Sequence, residues 1–408
     1  MNVDELVRDA LREQATEQAP AAGGFADRVL AVRRRRRNHR IVAAAVTAVV
    51  AVAVGVAVPL LDSGKQDVRP SGGVVVEQKG TKAHPDQSPP RDLISAGGTT
   101  LAGYYLPETV KTSDDTAVYQ RTYWLLDRQS GKYEKDERWS WVAVAPGAKT
   151  AAVLERDLPA SRIGLLDLTT GKVARWIDVD HRVAGLAFSR DGRKLVATTY
   201  GKNPDGRVKE AGSEDWGQEW TSSRTGFYVL DVASGNGGWT EVRSKSDSGG
   251  LGGGGVFMGS RQDFNVTDDG RHVWEGSPFE PGNVFYDLTG KKVSPAPGDK
   301  YLSSYVDAGK SPNGKLVAGD FAGRKWHTSS YVVDAMTGAK TEVRGQQLLA
   351  WVGDRQLIAW DIAGAKDSEF HQRLVLITIG SEKQVPLSGF REGDDGDPGR
   401  WEPLFAQP

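Results

Sequence analysis

The side chains best suited to chemistry in this sequence are its histidines and carboxylates. Six His occur, and no two of them have a metal-ligand spacing. His181 and His272 lie near predicted strand starts and are interpreted as structural. The absence of Cys excludes disulfides, thiolate metal sites and cysteine nucleophiles. The residues alone therefore predict no catalytic centre, no bound metal and no cofactor.

Carboxylates recur at one position of a repeated hairpin motif, where they suit a turn better than catalysis. Asp can accept hydrogen bonds from the N–H groups of its own turn, and a following Gly supplies the positive φ that closes it. These Asp are spread along the chain, so paired acid–base chemistry is not expected. The acidic stretch "REGDDGDPG" (391–399) lacks the spacing and closing Glu of an EF-hand loop. The hairpin carboxylates are Asp127, Asp167, Asp231, Asp287 and Asp334, and only the sixth copy, "VLITIGSEK" (375–383), lacks one.

A second repeated motif precedes each hairpin and indicates what positions these residues. It places a polar turn that ends in Gly ahead of an apolar strand, as in "FSRDGRKLVATTY" (188–200), "VTDDGRHVWEG" (266–276) and "KSPNGKLVAGD" (310–320), with three weaker copies. Two hairpins per repeat make four strands. The sequence predicts an all-β, six-bladed β-propeller over residues 91–406.

Two details of the propeller stay open at this level. A seventh blade is an alternative if residues 243–260 form one, although their Gly content favours a loop. The strand that closes the ring is either "RWEPLFA" (400–406) or "GGVVVEQ" (72–78).

An uncharged apolar run, Ile41 to Leu61, follows an Arg-rich stretch. Its 21 residues make about 30 Å of helix, the thickness of a bilayer core. A leader of 40 residues favours a retained transmembrane helix over a cleaved signal. The positive-inside rule then places the N-terminus in the cytoplasm and the propeller outside. The topology signal, interpreted as such rather than as a nucleic-acid site, is Arg33, Arg34, Arg35, Arg36, Arg37 and Arg40.

The cytoplasmic tail, residues 1–40, contains a short amphipathic helix. Two interpretations remain: a docking helix for a cytoplasmic regulatory protein such as a sigma factor, or a segment lying on the inner membrane surface. Residues 62–90, rich in Pro, Gly and Ser, are predicted to be a disordered spacer. The apolar face of the helix consists of Val3, Leu6, Val7 and Leu11.

The motifs resemble known propeller families. The "SxDGxxL" turns resemble those of TolB-type and WD-repeat-like propellers, and "LLDLTTGKVARW" is similar to quinoprotein-type repeats. With its basic tail and anchor, the chain resembles single-pass, membrane-tethered WD-repeat proteins of actinobacteria. This resemblance implies a fold and no chemistry. The chain has neither the Cys pair of many quinoprotein dehydrogenases nor the Gly-x-Ser-x-Gly elbow of propeller peptidases.

Long connections on one face of the predicted ring are the expected binding region. They are residues 106–120, 201–224, 243–260 and 391–400. Within "GSEDWGQEW" (212–220), two Trp stand among carboxylates, a combination suited to a protein partner; the alternative is that both Trp fold back onto the blade. The candidate partner-binding residues are Glu214, Asp215, Trp216, Glu219 and Trp220.

Together these features predict a non-enzymatic, membrane-anchored binding or sensor propeller outside the cytoplasm, with a protein or envelope polymer as partner. A net charge of −1 gives no argument for a nucleic-acid partner. The alternative is a lactonase-like hydrolase with a metal in the central channel. For that, the best channel-facing candidates are Asp263 and Asn265.

Overall fold

Antiparallel strands account for almost all of the regular structure, which confirms the all-β prediction. The computed structural model describes residues 80–209, 215–219, 221–244, 260–276, 282–304, 306–362, 370–393 and 400–408. The chain divides into two compact units, Met1–Ser71 and Gly72–Pro408, and the described residues belong to the second. The predicted tail and transmembrane helix, and residues 62–79 of the predicted spacer, lie outside the described residues.

The described residues contain 26 strands and two 3₁₀ turns, Pro146–Ala148 and Pro297–Asp299. None of them forms a helix that is long and apolar enough to cross a membrane. The strands are β1 Thr81–Lys82, β2 Ser95–Ala96, β3 Thr99–Lys111, β4 Thr116–Asp127, β5 Lys132–Asp136, β6 Trp139–Val144, β7 Thr150–Glu155, β8 Ala160–Asp167, β9 Lys172–Phe188, β10 Lys194–Tyr200, β11 Gly206–Lys209, β12 Trp216–Gln218, β13 Arg224–Asp231, β14 Gly237–Glu241, β15 Asn265–Val266, β16 His272–Gly276, β17 Asn283–Asp287, β18 Lys292–Val293, β19 Leu316–Gly323, β20 Ser329–Asp334, β21 Lys340–Arg344, β22 Gln347–Gly353, β23 Gln356–Ile362, β24 Gln372–Thr378, β25 Gln384–Pro386 and β26 Glu402–Ala406.

Successive strands pair into six antiparallel meanders within the described part of the chain. The first is β26-β3-β4-β5, the second β6-β7-β8-β9, and the third β9-β10-β13-β14. The long strand β9 belongs to two meanders, because its first part pairs with β8 and its last part with β10. The fourth is β15 to β18; the fifth is β19 to β21 with a bridge from Lys310 to Val317; the sixth is β22 to β25.

The predicted hydrogen bonds from turn N–H groups to the Asp carboxylates are confirmed at all five Asp positions. Asp167 Oδ1, for example, accepts a hydrogen bond of 2.7 Å from the backbone N–H of Thr169, and Asp127, Asp231, Asp287 and Asp334 accept equivalent bonds within their own turns. A Gly with positive φ then follows each of them. These carboxylates are therefore occupied by turn formation. The Gly residues are Gly131, Gly171, Gly235, Gly290 and Gly338, with φ of 66–82°.

The last strand of the chain completes the first meander. In β26, Glu402 pairs with Tyr105 of β3, and Ala406 pairs with Thr100. Of the two predicted closing segments, residues 400–406 thus supply this strand, while residues 72–78 lie outside the described residues. Beside it, the Trp401 indole N–H donates to Ser88 Oγ at 3.0 Å, so the packed structure includes residues ahead of position 91, the predicted start.

Apolar side chains fill the spaces between neighbouring meanders. One cluster joins the sixth meander to the first, where Trp360 and Trp401 are fully buried and their rings meet edge to face at 5.1 Å. Such an aromatic pair contributes about 0.5–1.5 kcal/mol beyond its burial. Further clusters pack between the first and second meanders, the second and third, the third and fourth, and the fifth and sixth.

Candidate functional site

Two predicted loops are strands that meet each other. Residues 106–120, predicted as a loop, are instead the outer part of the β3–β4 hairpin, in which Lys111 pairs with Ala117. The insertion at residues 201–224 was also predicted as a loop, but it contains β11 and β12. Strand β11 pairs with β4, and β12 pairs with β11. The third meander thereby adds two strands to the first.

We call this surface the bridging sheet: residues 106–111, residues 116–121, β11 and β12. Its outer parts carry β-branched and aromatic side chains such as Thr109, Val110, Val118 and Tyr119, which favour extended backbone. The loop prediction failed because strand propensity continues past the hairpin of a single meander, while the partner residues, such as Ala117 and Arg207, are 90 positions apart in the sequence.

A buried ionic cluster fixes the bridging sheet, with Asp205 at its centre. Arg121 of β4 donates two hydrogen bonds to the carboxylate, at 2.7 and 3.2 Å. Arg261 donates two more, at 2.8 and 2.6 Å. Asp205 and Arg121 are both buried. Burial acts to raise the pKa of Asp205, but the guanidinium groups of Arg261 and Arg121 hold it well below its usual value.

The same cluster reaches two further meanders through Arg261. Its Nη1 donates to the carbonyl of Ala184 in β9 at 2.8 Å and to Asp263 Oδ2, also at 2.8 Å. The guanidinium carbons of Arg121 and Arg261 lie 4.8 and 4.3 Å from the ring centroid of Trp141 in β6. Four meanders thus share one set of charge-assisted contacts, which is the property of a structural clamp.

Asp263, the first predicted channel-facing carboxylate, is part of this clamp. Its Oδ1 accepts a hydrogen bond of 2.9 Å from the Tyr200 hydroxyl, while Oδ2 accepts from Arg261. A Cβ at Gly185 would lie 2.1 Å from Asp263 Oδ1, so only Gly leaves room for the carboxylate. Both oxygens of Asp263 are therefore engaged by the protein.

The predicted partner-binding residues lie at the edge of the bridging sheet as far as they are described. Trp216 begins β12, pairs with Lys209 and is half-buried. Asp215 is exposed, and the Glu219 carboxylate forms an ion pair with Lys202. Glu214 and Trp220 lie outside the described residues. The structure thus places Trp216 in β12 and Asp215 and Glu219 next to its two ends.

A cavity of about 330 Å³ lies at those ends of the meanders' first strands that are remote from the Asp205 cluster. Five meanders contribute to its wall, through residues such as Val144, Phe188, Asn265, Lys310 and Phe405. First strands of five successive meanders can line one cavity only if they converge. Asn265, the second predicted channel-facing residue, belongs to this wall, whereas Asp263 belongs to the clamp.

Asp307 is the carboxylate of this wall whose charge is least compensated. Its nearest hydrogen-bond donor is the Gln347 amide, 3.4 Å from Oδ2, which is a long contact. The residue is exposed to the solvent of the cavity. Burial, with a smaller contribution from the charge of Glu402, raises the pKa of Asp307 to about 6.

The other charged groups at the cavity have partners. Lys310 forms ion pairs with Asp299 and, at 3.6 Å, with Asp268. Arg190 donates to the carbonyls of Lys310 and Ser311 at 2.9 and 3.1 Å. Among the described residues, no three His, Asp or Glu side chains are grouped so that they could hold a metal ion.

Sequence reasoning missed Arg121, Asp205, Arg261 and Asp307. A signal existed for Arg121: in "AVYQRTYWLLD" it occupies the same strand face as Ala117, Tyr123 and Leu125, which are buried. An Arg at a buried position requires a carboxylate partner. The other three stand in irregular segments, where no periodicity marks their orientation.

Comparisons with known proteins identify no family. No protein-family model matches the sequence, and no curated protein sequence matches it. Among solved structures, the chain is similar to TolB from Acinetobacter baumannii, with 15% identity, 78% of this chain and 68% of that chain covered, and a TM-score of 0.40.

Two other similar structures are an oligogalacturonate lyase in complex with manganese and a β-propeller domain from Myceliophteria thermophila. For the lyase, the identity is 12%, the match covers 76% of this chain and 87% of the lyase chain, and the TM-score is 0.40. For the propeller domain, the identity is 14%, the match covers 60% of this chain and 72% of that chain, and the TM-score is 0.31. All three TM-scores lie below 0.5, so these similarities carry no information about the function of this chain.

Proposed function

We propose that this chain is a six-bladed β-propeller that serves as a binding scaffold outside the cytoplasm, held to the membrane by residues 41–61. Two features support the ring. Each of the six meanders follows the last in chain order, and β26 returns to pair with β3. The convergence of first strands on one cavity has the same explanation.

The bridging sheet is the observation that carries the binding function. Two segments that lie outside the four-stranded meanders join into one sheet, and buried charged groups hold that sheet in place. Burying charged groups costs desolvation free energy, and a simple loop between strands does not require it. The edge strand β12 then presents Trp216 beside Asp215 and Glu219. An indole rimmed by carboxylates on a rigid support suits a protein partner or an envelope polymer.

Site-specific photo-cross-linking in intact cells tests the partner. A photoreactive amino acid replaces Trp216 in one strain and Met336 in another; Met336 is 70% exposed and lies in a hairpin turn of the fifth meander. We expect a discrete covalent adduct from position 216 and none from position 336. Equal labelling at both positions, or none at either, contradicts a binding role for β12.

The membrane and signalling parts of the proposal have separate tests. We expect the full chain in the membrane fraction, with the residues beyond 80 open to protease added outside intact cells. Deleting residues 1–15 removes the segment of Val3, Leu6, Val7 and Leu11, for which a docking helix is predicted, and leaves the Arg residues of the predicted topology signal in place. An unchanged transcriptome in that strain argues against a regulatory partner in the cytoplasm.

Binding is preferred to hydrolysis because Asp263, the carboxylate that the sequence predicts for a channel metal site, is engaged by other protein groups. Asp263 is held by Arg261 and Tyr200. Metal analysis of the purified full chain is the measurement that can reverse this preference: a stoichiometric metal that survives dialysis favours the hydrolase.

A further inference from the structure

Exposed cationic and aromatic side chains lie together at the end of β19 and in its connection to β20. Phe321 is 54% exposed, and Arg324, Lys325 and His327 are exposed as well. The Lys325 ammonium lies 4.2 Å from the ring centroid of Trp326. An exposed aromatic side chain with charged groups around it is typical of a surface that contacts a partner or a membrane.

The backbone of this connection has a conformation that residues with side chains rarely adopt. Trp326 and His327 are consecutive residues with positive φ, at 54° and 76°. Bulky side chains are uncommon in this region, and they persist there only where the surrounding structure holds them. Thr328 and Ser329, which follow directly, are buried. The connection is therefore a formed turn rather than a loose loop.

The positive charge of this turn is not neutralised by the carboxylates of the described residues. Neither Arg324 nor Lys325 forms an ion pair with any of them. The carboxylate of the same segment, Asp320, accepts a hydrogen bond of 2.5 Å from the Ser303 hydroxyl. The segment thus carries a net positive charge that can attract an anion from outside the protein.

A third cation extends this surface to the sixth meander. Ser329 pairs with Arg344, and Arg344 forms an ion pair with Asp361 at 3.1 Å. Asp361 pairs across its strand with Arg373, whose guanidinium lies 4.8 Å from the ring centroid of Phe390. The Nε of Arg373 has no hydrogen-bond acceptor within the described part of the chain. This half-buried guanidinium therefore adds positive charge at the same ends of the strands.

We call Phe321, Arg324, Lys325, Trp326 and Arg373 the basic patch. An anionic phospholipid surface matches both of its properties. Lys and Arg side chains are attracted by anionic headgroups, and aromatic side chains favour the boundary between headgroups and acyl chains. A dissolved polyanion uses the charges but gains little from an exposed Phe side chain. The composition of the patch therefore favours a lipid surface.

The predicted anchor keeps a bilayer within reach of the basic patch. The described part of the chain begins beside the sixth meander, where the backbone N–H of His84 donates to the Leu387 carbonyl at 2.9 Å. This meander contributes Arg373 and packs against the fifth. Residues 62–79 span at most about 60 Å when fully extended. A bilayer that holds residues 41–61 can therefore also contact the patch.

We propose that the basic patch docks on the anionic phospholipid headgroups of the membrane that holds residues 41–61. This inference rests on the proposed membrane attachment and adds a second contact with the same bilayer. Two contacts fix the orientation of the meanders relative to the membrane, whereas a single anchor leaves them free to rotate.

Photo-cross-linking of the full chain in lipid nanodiscs tests the contact. A photoreactive phenylalanine derivative replaces Phe321 in one protein and Met336 in another. Met336 is 70% exposed and follows the opposite end of β20. The discs contain phosphatidylcholine alone or an equal mixture with phosphatidylglycerol. We expect phospholipid adducts, detected by mass spectrometry, from position 321 in the mixed discs and none from position 336.

Two charge variants separate the charge of the patch from the net charge of the chain. Arg324→Gln/Lys325→Gln should lower the adduct yield from position 321 at least about fivefold, because each cation near an anionic surface favours attachment. The matched control Lys315→Gln/Lys383→Gln removes two exposed lysines from turns at the other ends of the fifth and sixth meanders and should leave the yield unchanged. Raising KCl from about 0.05 to about 0.5 M should lower the yield as the first variant does.

Three results overturn the proposal. They are no phospholipid adduct from position 321 in mixed discs, equal yields from positions 321 and 336 or from the two kinds of disc, and an unchanged yield in Arg324→Gln/Lys325→Gln. An adduct with an envelope polymer instead of lipid at position 321 in intact cells also overturns it.

Failure of the docking and failure of the anchor give different results. A chain that enters the discs without forming an adduct contradicts the docking alone, whereas a chain that does not enter them contradicts the anchor as well. None of these results bears on cross-linking from position 216.

Discussion

Asp205 in the buried ionic cluster and Asp307 at the cavity are carboxylates in opposite surroundings, because Asp205 is buried and Asp307 is exposed to solvent. Asp205 accepts four hydrogen bonds from two guanidinium groups. Asp307 receives one long contact from an amide. Accordingly, the pKa of Asp205 is held low, and that of Asp307 is raised to about 6. The buried carboxylate therefore fixes the structure through its two cations, whereas the exposed carboxylate is left to the solvent of the cavity.

The largest expected effect comes from removing the compensated carboxylate. Asp205→Asn leaves Arg121 buried without an anion and leaves Arg261 with Asp263 alone, and we expect a loss of about 3–5 kcal/mol in the free energy of unfolding. Urea denaturation of the solubilised chain measures it. The matched control is Glu241→Gln, which breaks a surface pair with Arg243 and should cost less than about 1 kcal/mol. Equal losses in the two variants contradict a clamp.

The same contrast predicts the response to acid. Because the pKa of folded Asp205 lies below its unfolded value, its contribution to stability is present above about pH 4 and is lost as the pH falls through the folded pKa. We therefore expect the wild-type chain to lose stability below about pH 4 more steeply than Asp205→Asn does. Parallel curves for the two proteins would disprove this assignment.

A smaller effect is expected from Gly185→Ala, which leaves every charge in place. The new Cβ displaces Asp263, which it would approach to 2.1 Å, and disturbs the contact with Arg261. Overpacking of this kind costs about 1–3 kcal/mol. The control Gly238→Ala introduces a Cβ with no heavy atom within 4 Å and should change stability by no more than about 0.5 kcal/mol. Thermal denaturation of both variants compares them.

The smallest effect, and one of opposite sign, is expected at the uncompensated carboxylate. Since the pKa of Asp307 is raised on folding, its ionised form opposes folding above about pH 6, and the effect fades as the pH falls towards 4. Asp307→Asn should therefore raise the melting temperature at about pH 8 and leave it unchanged at about pH 4. Solvent contact limits the gain to under about 1 kcal/mol. A lower melting temperature at about pH 8 contradicts the comparison.

The sequence was most informative where structure is local. A turn such as that at Asp167 and Gly171 is fixed by residues within five positions, and all five Asp–Gly hairpins formed as predicted. The strand at residues 400–406 was recognised as one of two closing candidates, because an unpaired apolar segment at the end of a repeat array must pair with something.

The sequence was least informative where structure depends on distant pairing. The match of Arg207 to Ala117 joins segments 90 positions apart, and no local pattern specifies that register. The same holds for Asp205, whose partners Arg121 and Arg261 come from either side of it in the chain. Trp216 is a candidate from the sequence because carboxylates surround it there. Its position at the edge of a sheet depends on the pairing of β11 with β4 and β12, which only the structure provides.

The return of β26 to β3 also concerns how the chain is made. Strands β3, β4 and β5 of the first meander are synthesised before the other five meanders, whereas β26, which pairs with β3, is synthesised after them. Until then β3 presents an open edge, which is a template for aggregation. A stop codon before Glu402 removes β26 and leaves that edge bare. Termination at this position should therefore yield proteolysed or aggregated product rather than a folded protein.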